Sequence, residues 1–130
     1  MDGLKMEPGW RRHGGARLRI RQSNALPAEL RGATREIHSL ETAPAARGQH
    51  HATLLLRKVC DAADRAGITL VLWPQPWGDN PSMTRDQLIE WYERRFGFLV
   101  VQVEPVLMAR MVGAEPKVLK LNPTMEAVYG

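Results

Sequence analysis

Residues 47–67, RGQHHATLLLRKVCDAADRAG, begin as a short polar turn and continue as an amphipathic helix. Apolar residues recur every three or four positions and share one helix face: Leu55, Leu56, Val59, Cys60, Ala63 and Ala66. The charged residues between them are predicted to face mostly solvent: Arg57, Lys58, Asp61, Asp64 and Arg65. Gly67 stands where a C-cap glycine ends a helix, so the stretch predicts a turn–helix unit.

Two strands are predicted on the N-terminal side of this helix. ARLRIRQ, residues 16–22, alternates apolar and basic residues with the period of a half-buried strand. TREIHSLET, residues 34–42, alternates again, with Ile37 on one face and Glu36, His38 and Leu40 on the other. Pro44 is expected to end this second strand, so a strand leads into the turn.

The C-terminal side predicts one more helix and three more strands. ITLVLW is a nearly continuous apolar run, typical of a buried strand. Thr84 and Gln87 form a capping box that begins a helix, and Gly97 ends it. FLVVQVEP and VLMARMV, joined at Glu104-Pro105, predict an antiparallel pair. This order predicts an α/β fold, a mixed and mostly antiparallel sheet with helices on its faces.

Composition limits the chain to one modest domain. It has 130 residues, of which 44% are hydrophobic, and these can supply a single small core. Cys60 is the only cysteine, which excludes an internal disulfide and favours a reducing compartment. No apolar run approaches the roughly 20 residues that span a bilayer, and the N-terminus lacks a signal-peptide pattern. A soluble, cytoplasmic protein is expected, without a membrane partner.

We expect residues 1–15 to form a flexible N-terminal arm, residues 16–112 the domain, and residues 113–130 a C-terminal tail. The formal net charge is +4, and the basic excess lies within the first 35 residues. WRRHGGARLRIRQ is compatible with attraction to nucleic acid or to an acidic partner. It is also compatible with a solvated arm and an edge strand that arginines protect from aggregation.

The turn RGQHHA precedes a helix N-terminus, where unsatisfied N–H groups and the macrodipole favour anions. It resembles the pyrophosphate-binding turn of the GNAT superfamily of acyl-CoA-dependent N-acetyltransferases, Gln/Arg-x-x-Gly-x-Gly/Ala, with Arg47 first and Ala52 last. His50 replaces the middle glycine. Its side chain is expected either to obstruct the cofactor or to donate a hydrogen bond to phosphate. Further likeness lies in LETAPAARG, DAADRAGITLVLWPQP, LIEWYERRFGF and VLMARMV, and the resemblance covers residues 34–112.

The resemblance implies an acetyl-CoA site and a set of reacting groups. The pyrophosphate would be held at Arg47, Gly48, Gln49, His50, His51 and Ala52. The pantetheine arm would pair with the backbone of Glu41, Thr42 and Ala43. Tyr92 would be the acid that protonates the thiolate, and Glu36 or His38 the base, with Glu41 a third candidate. His50 and His51 lack the i, i+4 spacing of a metal pair, so no metal site is predicted, and His51 is expected to be solvated.

In that family a first strand, two helices that help build the acceptor site and a run of antiparallel strands precede the turn, whereas 33 residues without a helix signal precede Thr34 here. The chain therefore resembles a shortened member, of the kind seen among small phage-encoded proteins. The implied activity is transfer of acetyl from acetyl-CoA to an amine of a protein or a small molecule, with pairing to a second copy as one way to complete the acceptor wall. A non-catalytic interaction module of degenerate GNAT fold, or less favourably a nucleic-acid-binding protein, remains the alternative.

Overall fold

The computed structural model describes residues 6–23, 34–46, 48–76 and 83–114. Six strands and two α-helices follow one another along the chain, with a short 3₁₀ helix at Pro44–Ala46 before the first of them. They are β1 (Gly9–His13), β2 (Ala16–Gln22), β3 (Thr34–Thr42), α1 (His51–Ala66), β4 (Thr69–Leu72), α2 (Arg85–Phe96), β5 (Leu99–Val103) and β6 (Val106–Arg110). Among the described residues no helix is long and apolar enough to cross a membrane.

The strands form a single mixed sheet in the order β1-β2-β3-β4-β6-β5. All neighbours are antiparallel except β3 and β4, which run parallel because α1 carries the chain back between them. This confirms the predicted mixed, mostly antiparallel sheet. It also puts the turn–helix unit at the parallel step of the described sheet, between the end of β3 and the start of β4.

Strand β1 lies within the segment that we expected to be a flexible arm, and for residues 9–13 that expectation is wrong. The segment alternates Trp10 and Arg12 with Arg11 and His13, so neither face is apolar and the period-2 signal is hidden. The available signal was the Gly14-Gly15 pair, which is typical of a two-residue hairpin loop. β1 pairs antiparallel with β2 and forms one edge of the sheet.

Both helices cover the same face of the sheet. Leu18, Ile20 and Leu70 point to this face and belong to one core cluster with the buried residues of α1 and α2. The predicted stripe of α1 is buried at Leu55, Leu56, Val59, Cys60 and Ala63. Ala66 is exposed instead, because it lies in the last turn before the αL cap at Gly67. A smaller cluster on the opposite face contains Val71, Leu107 and Ala109, with Trp73 packed against it.

Helix α2 begins and ends as its sequence predicts. The Thr84 hydroxyl accepts from Gln87 N–H at 3.2 Å, and the Thr84 N–H donates to Gln87 Oε1 at 2.9 Å, which completes the capping box. Gly97 adopts the left-handed conformation after the last helical residue. Trp91 and Tyr92 are buried, while Leu88 and Ile89 pack partly against the core.

Asp64 is not the solvent-facing residue that its position in the helix pattern predicts. Its two oxygens accept from Arg110 of β6 at 2.7 and 3.1 Å, and Oδ1 also accepts from Gly113 N–H at 2.8 Å. Arg110 is 4% exposed and donates further to the backbone carbonyls of Phe96 and Ala114. One guanidinium thus ties α1, α2 and β6 to the segment that follows β6.

Candidate functional site

The parallel strands β3 and β4 pair over three residues each. Their pairing covers Thr34↔Thr69 to Glu36↔Val71, while β3 continues to Thr42 along β2 and β4 ends at Leu72. Beyond the last shared pair, Ser39 has φ 61°, and the β2–β3 register shifts opposite it, so β3 is bulged there. Among the described strands β3 and β4 are the parallel pair, and residues around the end of their pairing line a pocket.

The turn that precedes α1 follows the end of β3 and the short 3₁₀ helix. Gly48 and His50 both have left-handed backbones, with φ 84° and 62°, and His50 is the N-cap of the helix. The His50 side chain makes no capping hydrogen bond, and the first turn of α1 holds no acidic residue. Gly48, Gln49 and His50 are exposed. The first N–H groups of α1 are therefore not satisfied by a side-chain cap, a geometry that suits an anion.

His50 occupies a backbone conformation that glycine adopts without strain. A φ of 62° and ψ of 20° lie in the left-handed region, which disfavours a residue with a Cβ. This explains in local terms why a glycine suits the middle of such a turn. Arg47, the first residue of the expected phosphate turn, lies outside the described residues, and Ala52 is half-buried against the core.

His51 holds the β1–β2 hairpin rather than facing solvent as we expected. Its Nδ1 accepts from the Gly15 N–H at 2.9 Å, and its ring contacts the His13 ring edge-on at a centroid distance of 5.9 Å. A Cβ on Gly14 would lie 2.6 Å from His51 Nδ1, so only glycine fits beside the ring. We expected His51 to be solvated because strand β1, whose hairpin with β2 covers the His51 ring, was not predicted from the sequence.

The three backbone positions expected to pair with pantetheine differ in their surroundings. Ala43 N–H donates to Gly15 carbonyl at 2.8 Å, and its own carbonyl accepts from Ala46 N–H at 2.9 Å. Ala43 is therefore already used within the fold. Glu41 and Thr42 are half-buried in the last part of β3, opposite Arg17 and Ala16 of β2. The Glu41 carboxylate accepts from Arg17 at 3.2 Å.

Glu36 and His38 lie together on the face of the sheet away from the helices. The Glu36 side chain is only 7% exposed, and its Oε2 lies 3.2 Å from Arg21 Nη2 and 3.7 Å from His38 Nδ1. His38 is 30% exposed. The two residues line a pocket of about 220 Å³ beside the end of β4, with Arg21, Ile37, Trp73 and Gln75 as the other lining residues. The two predicted bases thus share one site.

Tyr92 lies on the other face, in the core that the helices cover. Its ring packs against Phe98 and Trp91 at centroid distances of 5.5 and 5.1 Å, and the residue is 5% exposed. Burial raises the pKa of the Tyr92 phenol well above its usual value of 10.0, so the group stays protonated. The structure does not bring Tyr92 to the pocket of Glu36 and His38.

Four of the six pocket-lining residues were not predicted from the sequence as site residues: Arg21, Ile37, Trp73 and Gln75. Arg21 shares its face with Glu36 because the two are directly paired across β2 and β3. Trp73 and Gln75 lie just beyond the C-terminal end of β4. The alternation of ARLRIRQ indicated the face of Arg21, but its cross-strand partner depends on register, which the sequence pattern leaves open.

Strands β1 to β3 carry a row of charged side chains on this same face, which we call the charged face. Cross-strand partners in a sheet share a face, and the register pairs Trp10 with Arg19, Arg12 with Arg17 and Arg19 with His38. The charged face comprises Trp10, Arg12, Arg17, Arg19, Arg21, Glu36, His38 and Glu41.

The family model described as Acetyltransferase (GNAT) family matches residues 8–98. The chain belongs to the GNAT acetyltransferase family. The match begins before β1, which agrees with β1 being part of the sheet. No curated protein matches the chain. The expected fold is thus confirmed, a shortened GNAT α/β sheet of six strands with two helices.

Three solved structures are similar to this chain at low sequence identity. The anti-CRISPR protein AcrVA5 is 21% identical with a TM-score of 0.55, over 78% of this chain and 97% of its own. A putative acetyltransferase from Exiguobacterium sp. 255-15 is 19% identical with a TM-score of 0.47, over 74% and 53%. YhbS from Escherichia coli, solved in complex with CoA, is 12% identical with a TM-score of 0.49, over 78% and 57%. This GNAT chain spans little more than half the length of the last two.

Proposed function

We propose that this protein is an N-acetyltransferase that transfers an acetyl group from acetyl-CoA to a primary amine. The observation that carries the proposal is the pocket that holds Glu36 and His38 where the β3–β4 pairing ends, together with the uncapped N-terminus of α1 that follows β3 in the chain. In a GNAT chain these two sites are where a thioester donor and an amine acceptor would meet.

The turn residues fit the anionic part of such a donor. Gly48, Gln49 and His50 are exposed beside the first N–H groups of α1, and a Cβ placed on Gly48 would meet no atom within 4 Å. The turn therefore leaves space for phosphate oxygens. Bound acetyl-CoA would supply an activated acyl carbon, which an amine attacks with loss of the thiolate.

His38 is the base that we favour for this reaction. The acceptor nitrogen must lose its ammonium proton before its lone pair forms the bond to the acyl carbon. His38 is more exposed than Glu36, and Glu36 Oε2 lies 3.7 Å from His38 Nδ1, where a carboxylate can orient the ring and stabilise the imidazolium that forms when His38 takes the proton. Glu36 then acts as a positioning residue, and Glu41 is a weaker candidate because Arg17 pairs with it.

We propose Tyr92 as the acid that protonates the departing thiolate; because its phenol lies on the helix-covered face, this role requires the thioester sulfur to reach that face of the sheet while the amine lies in the pocket of Glu36 and His38. Burial raises the pKa of the phenol, which keeps the proton on the group but makes it a weaker proton donor. The test is Tyr92→Phe, which preserves the ring packing against Phe98. If Tyr92 delivers the proton, kcat falls by about 100-fold or more while acetyl-CoA binding is unchanged. An unchanged kcat would show that Tyr92 packs in the core and does not deliver the proton.

The decisive experiment is calorimetric titration of the purified chain with acetyl-CoA, beside His50→Gly, together with CoA release in the presence of amine acceptors. Binding by the unmodified chain, with acceptor-dependent CoA release that His38→Gln abolishes, is the expected result. Absence of binding in the unmodified chain that is restored in His50→Gly would instead support the second candidate, a GNAT-fold interaction module whose donor site the imidazole closes. The exposed side chain of His50 at the N-cap of α1 is the observation that favours this second candidate.

A further inference from the structure

The charged face has more cations than its own carboxylates neutralise. Glu41 pairs with Arg17 and Glu36 pairs with Arg21, each at 3.2 Å. Arg12 and Arg19 are exposed, and neither is paired with a carboxylate in the part of the chain that the structure describes. The guanidinium groups of Arg12 and Arg19 therefore carry the positive potential of this face.

Arg19 lies next to the pocket. In the sheet register it is directly opposite His38 on one side and Trp10 on the other. Adjacent strands are about 4.8 Å apart. Arg19 on β2 is therefore one strand away from His38 on β3, and Arg12 on β1, whose partner is Arg17 of β2, is one strand further out. An acceptor whose amine entered the pocket would extend its neighbouring groups over these two arginines.

The potential of this face discriminates between acceptors. An amine in solution is an ammonium, and uncompensated guanidinium groups beside the entrance repel a segment that is positive overall. Carboxylates next to the amine reverse this interaction, because they pair with the arginines while the amine enters the pocket. The face therefore favours acceptors that carry negative charge close to the reacting nitrogen.

We propose that Arg12 and Arg19 select an acceptor polypeptide in which Asp or Glu residues flank the amine that is acetylated. The inference rests on the proposed acetyltransferase function and names its substrate class. A surface that spans three strands fits an extended segment. Nucleic acid fits it less well, because in the described part of the face only Arg12 and Arg19 lack a carboxylate partner, and two guanidinium groups bind few phosphates. The Trp10 ring also already has the Arg17 guanidinium stacked 4.6 Å from its centroid.

The test compares two peptides with the same central lysine, one flanked by aspartates and one by asparagines. We expect kcat/KM of the unmodified chain to be about tenfold higher for the acidic peptide, and this ratio to shrink as salt rises. In the double variant R12Q/R19Q the ratio should fall to about two, while Arg19→Lys, which keeps the charge, retains most of it. Arg65→Gln, which removes an exposed charge from α1 on the helix-covered face, should leave the ratio unchanged.

Equal kcat/KM for both peptides in the unmodified chain would overturn the proposal. So would tighter binding of a single-stranded or duplex oligonucleotide than of the acidic peptide at the same salt, since that result would assign the face to nucleic acid. Fluorescence anisotropy with a labelled acidic peptide separates this inference from the proposed function. If no peptide is acetylated but the acidic one binds and R12Q/R19Q abolishes binding, the recognition surface stands and the acetyl transfer does not.

Discussion

At the scale of single residues, His50 combines a left-handed backbone with an exposed side chain at the start of α1. We predict that His50→Gly raises the free energy of unfolding by up to about 1 kcal/mol, because glycine adopts this conformation without the Cβ clash. Chemical denaturation measures the change. Gln49→Gly is the matched control, since Gln49 is exposed with an ordinary φ, and it should lower stability by about 0.5–1 kcal/mol.

Gly14 and Gly48 both have positive φ but differ in what surrounds them. A Cβ on Gly14 would collide with the His51 ring, while a Cβ on Gly48 would meet nothing within 4 Å. We predict that Gly48→Ala costs about 1 kcal/mol of unfolding free energy, the price of the backbone conformation alone, and Gly14→Ala about 2–3 kcal/mol. Thermal unfolding of both variants checks the difference. Equal losses would show that the hairpin moves away from α1 at no cost.

At the scale of secondary-structure elements, the capping box of α2 is a self-contained local unit. Thr84→Ala removes the hydroxyl that accepts from Gln87 N–H, and we expect a loss of about 1 kcal/mol in unfolding free energy. Glu90→Ala on the same helix breaks only the exposed Glu90–Arg94 pair at 3.8 Å and should cost about 0.3–0.5 kcal/mol. A larger effect of Glu90→Ala than of Thr84→Ala would contradict this order.

Elements with local signals were predictable, and contacts between distant residues were not. Thr84, Gly67 and Gly97 mark helix ends through the backbone of their own turn, so the sequence pattern located both helices. β1 was not predicted because its residues, Trp10 among them, form no buried row of apolar side chains. The candidate bases were predicted to share a face through strand alternation. Their contact with Arg21 depends on the β2–β3 register, which no local pattern specifies.

At the scale of the whole molecule, Arg110 joins both helices to β6. Arg110→Ala would remove both hydrogen bonds to Asp64 and the donor to the Phe96 carbonyl, which lies 2.6 Å away. We predict a loss of about 3 kcal/mol in unfolding free energy, because a carboxylate and a helix-terminal carbonyl lose their partner in a largely buried site. Urea denaturation measures it. A loss below about 1 kcal/mol would mean that water replaces the guanidinium fully.

The contact between Arg110 and Asp64 makes the free energy of unfolding depend on pH. Burial by itself would raise the pKa of Asp64, but hydrogen bonds from Arg110 and from Gly113 N–H outweigh it and hold the pKa below the ordinary value of 3.8. A lowered pKa stabilises the fold above pH 3.8, and this contribution is lost as pH falls further. We predict that Asp64→Asn weakens the decline of stability below pH 3.8. Asp61→Asn, which removes the same charge from an exposed position one turn earlier, is the control.

The strand order follows the chain except at one place, where β6 rather than β5 pairs with β4. During synthesis, β1 to β4 can therefore assemble one after another, but the outer edge of β4 stays open until residues 106–110 have emerged. That edge belongs to a strand in which Leu70, Val71 and Leu72 are all buried in the finished fold. A chain released before β6 would present an unpaired apolar strand, the feature that leads to association between chains. The hairpin of β5 and β6 thus acts late, as the step that protects the nascent sheet from aggregation.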